Sequence, residues 1–214
     1  MLDRFATRLI APLVDALARP LARAGVGANT LTWLGLALGL CASASIAIGQ
    51  YHLGLALMAL SRTFDALDGA VARQTRATDL GAFLDITLDF VFYASVPLAF
   101  ALADPQANAL PAAVLLAAFV GTGSSFLAFA VLAAKRGLAP APASHKSFYF
   151  LGGLTEGTET LAVFCAMALW PAHFPVLAYG FAALCAVTVV TRVAWGIRAF
   201  SESPIRPPAG PAHG

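Results

Sequence analysis

Six long apolar runs alternate with short turn-forming breaks along most of the chain, at approximately 29–49, 51–73, 81–103, 109–134, 147–170 and 175–199. Each reaches the roughly 20 residues that a helix needs to cross a hydrocarbon core about 30 Å thick. The breaks carry turn chemistry: "GQYHLG", "ADPQANALP", the Pro-rich "GLAPAPASH" and "WPAHFP". Ahead of the first run, Leu2, Phe5, Leu9, Leu13 and Leu17 recur at helical spacing. Asp3, Arg4, Arg8, Asp15 and Arg19 interrupt any continuous apolar stretch there, which excludes a secretory signal. The pattern predicts an all-α integral membrane protein. Residues 1–25 form an amphipathic helix lying on the membrane surface. Six transmembrane helices follow within a catalytic domain over 26–200, and the Pro/Gly-rich 201–214 forms a disordered tail.

Composition agrees. The 214 residues are 59% hydrophobic and 11% charged, with a mean hydropathy of +0.79, whereas soluble domains carry about 25% charged residues. The net charge of +2 excludes nothing, but its distribution orients the chain. With both termini in the cytoplasm, Arg4, Arg8, Arg19, Arg23, Arg62, Arg73, Arg76, Lys135, Arg136, Lys146, Arg192, Arg198 and Arg206 all fall on the cytoplasmic side or in the cytoplasmic half of a span. The three outer loops then hold no Lys or Arg, as the positive-inside rule requires. Cys41, Cys165 and Cys185 stand in separate apolar stretches with no CxxC spacing and read as small buried residues. Short loops and the lack of a targeting segment suggest a bacterial inner membrane, and no feature points to nucleic acid.

Against this background, "DALDGAVARQTRATDLGAFLDITLD" at 65–89 concentrates five carboxylates. In the second span Asp65, Asp68, Gly69 and Ala72 fall at i, i+3, i+4 and i+7, hence on one helix face. In the third, Gly81, Asp85 and Asp89 follow at i, i+4 and i+8. Counting outward from a turn near Ala77, two antiparallel helices bring Asp68 and Asp85 to one depth and Asp65 and Asp89 to another. Four ionised carboxylates in a low-dielectric site need compensation. Oxygen ligands without His or Cys favour Mg²⁺ or Mn²⁺ over zinc, and two such ions would clamp a pyrophosphate. Glycines admit a ligand to the backbone, and Arg73 is placed to meet phosphate. The alternative is that the acids merely pair with Arg62, Arg73 and Arg76.

The pattern Asp65-x2-Asp68-Gly69-x2-Ala72-Arg73-x7-Gly81-x3-Asp85-x3-Asp89 resembles the signature of the CDP-alcohol phosphotransferase (CDP-alcohol phosphatidyltransferase) family, with all eight fixed residues in order. "ANTLTWLGL" at 28–36 resembles the start of that family's first span. One departure is visible: seven residues separate Arg73 from Gly81, against eight in many members. The resemblance implies transfer of a phosphatidyl group from CDP-diacylglycerol to an acceptor alcohol with release of CMP. It implies Asp65, Asp68, Asp85 and Asp89 as ligands of two Mg²⁺ or Mn²⁺ ions, and Asp89 as general base. Gly69, Ala72, Arg73 and Gly81 would accommodate the cytidine diphosphate. Many members are homodimers, an assembly that bulky apolar spans allow.

For the acceptor the residues leave two readings open. Lys135, Arg136, Lys146 and Arg192 lie near the cytoplasmic mouth, where they either anchor the topology or meet a phosphorylated acceptor. Glu156 and Glu159 are expected about 14–18 Å into a helix beginning near Lys146. There they are either braced by Arg192 or His145, or line the acceptor pocket. Rival classes fit less well. Intramembrane prenyltransferases carry widely separated Asp motifs, and a divalent-cation transporter needs polar residues continuing outward, where this chain has "HLGLALMAL" and "VFYASVPLAF". A noncatalytic scaffold leaves the acids unexplained.

Overall fold

A computed structural model describes residues 2–136 and 155–201, and these are helical apart from short connections. The helices are α1 (Leu2–Arg23), α2 (Ala28–Ala47), α3 (Tyr51–Gln74), α4 (Asp79–Ala103), α5 (Pro105–Lys135), α6 (Gly157–Leu169) and α7 (Phe174–Ser201), with one 3-10 turn at Pro171–His173. Helix α1 matches the expected leader, and α2, α3, α4, α5 and α7 follow five of the six apolar runs. Ala28–Ala47, Asp79–Ala103, Pro105–Lys135 and Pro171–Ser201 are long and apolar enough to cross a membrane. The 24 residues of α3 would also reach across, but its second half carries the charged motif.

The connections have identifiable causes. Gly25 and Gly49 adopt φ of +76° and +80° at the ends of α1 and α2, a left-handed conformation open to glycine at little cost. Between α4 and α5, the Asp104 carboxylate accepts a hydrogen bond from Ala107 N at 3.1 Å and Pro105 opens the new helix. Between α3 and α4, Thr78 Oγ1 accepts from Gly81 N at 3.0 Å and caps α4.

The fifth run departs from expectation. Glu156 lies at the N-cap of α6 with extended backbone (φ −95°, ψ −178°), so neither glutamate sits deep in a helix begun at Lys146. Glycines and threonines in "GGLTEGTET" disfavour helix interiors and suit helix ends. Thr160 donates its hydroxyl to Glu156 O at 2.9 Å, and Glu159 in the first turn complements the helix dipole. His145, Lys146, Arg206 and the tail from 202 lie outside the described residues.

Helix α2 is the hub. It packs along both α3 and α4, which do not pack closely on each other; α5 joins α4 to α7, and α1 lies on α3. The main core is aromatic. Phe100 stacks between Tyr51 and Phe174 at centroid distances of 5.7 and 4.5 Å, and Phe164 meets Phe92 and Phe119 at 6.3 and 6.1 Å. A smaller cluster (Ala18, Leu31, Leu67, Ala70 and Val71) ties α1, α2 and α3 together near the charged end. Outward faces are apolar: Val120, Val176 and Val190 are 71%, 72% and 67% exposed. In a bilayer such a sheath faces lipid rather than water. Cys185 is buried as expected and Cys165 is half-buried, but Cys41 is exposed on the outside of α2.

Candidate active site

The charged motif folds into one end of the bundle, where α3 ends and α4 begins. Because α3 and α4 pack on α2 rather than closely on each other, a cavity of about 510 Å³ lies between them at this end, closed on a further side by Ile10, Ala11 and Val14 of α1. Seven of the eight motif residues line it: Asp65, Asp68, Gly69, Ala72, Arg73, Gly81 and Asp85. The two glycines leave room. A Cβ on Gly69 would meet only the Arg73 guanidinium, at 3.4 Å, and one on Gly81 would press on Thr78 Oγ1 and Asn29 Oδ1 at 3.2 and 3.3 Å.

Asp65, Asp68 and Asp85 each place a carboxylate oxygen within 4.8 Å of the other two. Two of them come from α3 and one from α4, so side chains bridge the gap that the helix backbones leave. Asp68 is buried, and its Oδ2 has no hydrogen-bond partner. A buried, unpartnered carboxylate oxygen is costly unless a cation meets it. The donor set is all oxygen, so the residues fit a hard divalent ion. The one-residue-shorter link between Arg73 and Gly81 falls in the 75–78 turn and leaves this convergence intact.

Asp89 stands apart from that trio. Its Oδ1 accepts a hydrogen bond from Arg62 Nη1 at 2.7 Å, and the same nitrogen lies 3.5 Å from Asp65 Oδ1. Arg62 thus joins the two deeper aspartates, whereas the alternative reading pairs the acids as a set with Arg62, Arg73 and Arg76. Arg73 borders the cavity and leans toward α1, with Nη2 3.4 Å from Asp15 Oδ1, while Gln74 Nε2 donates to Asp15 O at 3.2 Å.

The acceptor candidates lie elsewhere. Arg136 donates to Ala199 O and Phe200 O at 3.2 and 3.0 Å and so caps the end of α7. Arg192 is buried between α5 and α7, donating to Thr122 O at 2.8 Å and Ser125 Oγ at 3.0 Å. Glu156 is near enough to interact with it electrostatically. Neither arginine, nor Glu156 or Glu159, lines the carboxylate cavity. Sequence reasoning assigned no site role to Asn29, Thr32, Thr78, Arg76 or the α1 wall, all of which border it. The family-like "ANTLTW" was the one available hint, for Asn29 and Thr32.

The family model for CDP-alcohol phosphatidyltransferase matches residues 26–196. The chain belongs to the CDP-alcohol phosphatidyltransferase family. As a member it is an enzyme of phospholipid biosynthesis that transfers a substituted phosphate group. Inner membrane protein YnjF of Escherichia coli (strain K12) is 51% identical over 193 residues, covering 90% of this chain and 94% of that protein. An archaetidylinositol phosphate synthase of Methanothermobacter thermautotrophicus is 43% identical over 83 residues, 38% of this chain and 39% of its own length. Among solved structures, the phosphatidylinositol phosphate synthase of Mycobacterium tuberculosis with CDP-DAG bound superposes with a TM-score of 0.66 at 21% identity, covering 92% of this chain and 100% of that one. The same synthase in complex with manganese and citrate gives a TM-score of 0.61 at 22% identity, covering 85% and 87%. At these identities the two structures show a shared fold and nothing finer.

Proposed function

We propose that this enzyme moves a phosphatidyl group from CDP-diacylglycerol to a small alcohol, releasing CMP, on the cytoplasmic face of an inner membrane that it crosses six times with both termini inside. The observation that carries the reading is the cavity in which three carboxylates converge beside Gly69, Arg73 and Gly81. The tuberculosis synthase bound to CDP-DAG and to manganese supports the donor and the metal class.

Asp65, Asp68 and Asp85 would hold Mg²⁺ or Mn²⁺, with Asp89 completing a two-ion set. When bound, such ions neutralise the pyrophosphate and stabilise negative charge on the departing phosphate. Gly69 and Gly81 keep the walls low where the nucleotide enters, and Arg73 exchanges its exposed contact with Asp15 for a phosphate oxygen. The first turn of α4 directs its partial positive charge at the same space. Asp89 takes the acceptor hydroxyl's proton, its carboxylate held in place by Arg62 before the ions bind. The acceptor oxygen bonds to the lipid-side phosphorus, the phosphoanhydride bond breaks, and the electron pair departs with CMP. Beyond the carboxylates, Phe92, Phe100, Phe164 and Phe174 fill the bundle, which argues against a cation path.

The acceptor is read from a panel of inositol phosphate, glycerol phosphate, inositol, serine, choline and ethanolamine. The archaeal archaetidylinositol phosphate synthase and the mycobacterial phosphatidylinositol phosphate synthase put inositol phosphate first. Purified enzyme should release CMP from CDP-diacylglycerol only with Mg²⁺ or Mn²⁺ and one of these acceptors. No CMP with any of them in the presence of Mn²⁺ would overturn the reading.

A further inference from the structure

Arg62 is the feature that the motif does not account for. It stands one turn before Asp65, so its side chain emerges on the same face of α3 as the carboxylates. The side chain is only 14% exposed. Its guanidinium carbon lies 4.2 Å from the centroid of the fully buried Phe92 ring, a contact that a desolvated cation gains from. Nη2 donates to Ser61 Oγ at 3.3 Å, and Ser61 in turn donates to Gly35 O at 2.6 Å, which anchors the group to α2. Nη1 reaches Asp89 at 2.7 Å and Asp65 at 3.5 Å. Ring, hydroxyl and two carboxylates therefore hold one fixed positive charge between the deeper pair of aspartates.

We propose that Arg62 is a positioning residue that occupies the place of the second divalent cation in the ion-free enzyme, so that the two ions bind in unequal steps. The proposal rests on the metal reading above. Electrostatics gives the order. Four ionised aspartates against one guanidinium leave three negative charges, and one divalent ion at Asp65, Asp68 and Asp85 reduces these to a single one. A second divalent ion overshoots neutrality unless Arg62 gives up Asp89 or an anionic pyrophosphate arrives with it. The second ion must then compete with a charge-assisted bond to Asp89, whereas the first meets Asp68 Oδ2, which has no partner to lose.

The test is a Mn²⁺ titration of the intact protein in detergent without substrate, with free Mn²⁺ followed by its electron paramagnetic resonance signal. Wild type should bind one ion tightly and a second weakly or not at all. Arg62→Gln should tighten the second step by about tenfold or more, the worth of one charge-assisted hydrogen bond, and the first by less, since Asp65 lies farther from Arg62 than Asp89 does. Arg62→Lys, which keeps the charge but not the fork, should fall between. If Arg62→Gln is not monodisperse, Arg62→Lys decides: a second step no tighter than wild type overturns the proposal. Equal steps in wild type, an unaltered second step in Arg62→Gln, or weakening of both steps also overturn it. Wild type binding no Mn²⁺ would instead overturn the metal reading itself.

Discussion

Gly39 on α2 offers a probe of the packing that supports the site. A Cβ built there would lie 2.7 Å from Phe92 Cδ2, 3.2 Å from Phe92 Cε2 and 3.0 Å from Ser61 Oγ. Carbon atoms rest about 3.5–4.0 Å apart, so in Gly39→Ala the ring must retreat by roughly 1 Å. It has nowhere to go cheaply, being fully buried with Tyr93 and Phe164 at centroid distances of 5.6 and 6.3 Å. Overpacking of this kind costs about 1–3 kcal/mol, and alanine's better helix propensity returns about 1 kcal/mol. The net loss of about 0–2 kcal/mol corresponds to a fall in Tm of a few degrees for a chain of this size. Activity should suffer more, because Phe92 and Ser61 are the supports of Arg62, which orients Asp89. Gly180→Ala is the control, since a Cβ there meets nothing within 4 Å. Thermal unfolding in detergent and CMP release should show Gly39→Ala with a lower Tm and several-fold lower kcat, with donor KM changed less. Gly180→Ala should match wild type or exceed it in Tm. Wild-type behaviour of Gly39→Ala in both assays, or equal damage in Gly180→Ala, would refute the reasoning.

Two further outcomes are expected. Asp68→Asn removes a buried charge whose Oδ2 is unpartnered, so the ion-free protein should melt at or above the wild-type temperature. Mn²⁺ should no longer raise that temperature, and CMP release should fall by about two orders of magnitude or more. Gly25→Ala forces a side chain into the φ +76° conformation where no neighbour obstructs it; unfolding should report a loss of about 1–2 kcal/mol from backbone strain alone.

Much of the helical plan was legible because apolar runs and turn residues agree: "ADPQ" both ends α4 and caps α5, and Gly49 closes α2. The aspartates were legible because acids are rare in so oily a chain, and their spacing placed Asp65, Asp68 and Asp85 within reach of one another. Period alone did not reveal that the two motif helices each pack along α2 rather than closely on each other, since helix partners depend on shape complementarity between distant segments. It did not single out Arg62 from Arg73 and Arg76; the difference lies in Phe92, thirty positions on, which only folding brings beneath the guanidinium. The interruption at Glu156 was missed because hydrophobicity averaged over a span hides the glycines and threonines that break it. Asn29 and Thr32 look like ordinary residues of a first span until α3 and α4 lean against it.

The two apolar clusters are of very different weight. Aromatic rings lock the main core, which reaches the site where Phe92 lies under Arg62, whereas three helices around the cavity are joined through Ala18, Leu31, Leu67, Ala70 and Val71. Amide hydrogens should therefore exchange fastest on the α1 side of the cavity, where opening need not disturb the rings. Substrate occupancy then slows exchange chiefly there, a gradient of local stability that lets the α1 side breathe while the rest of the bundle stays fixed.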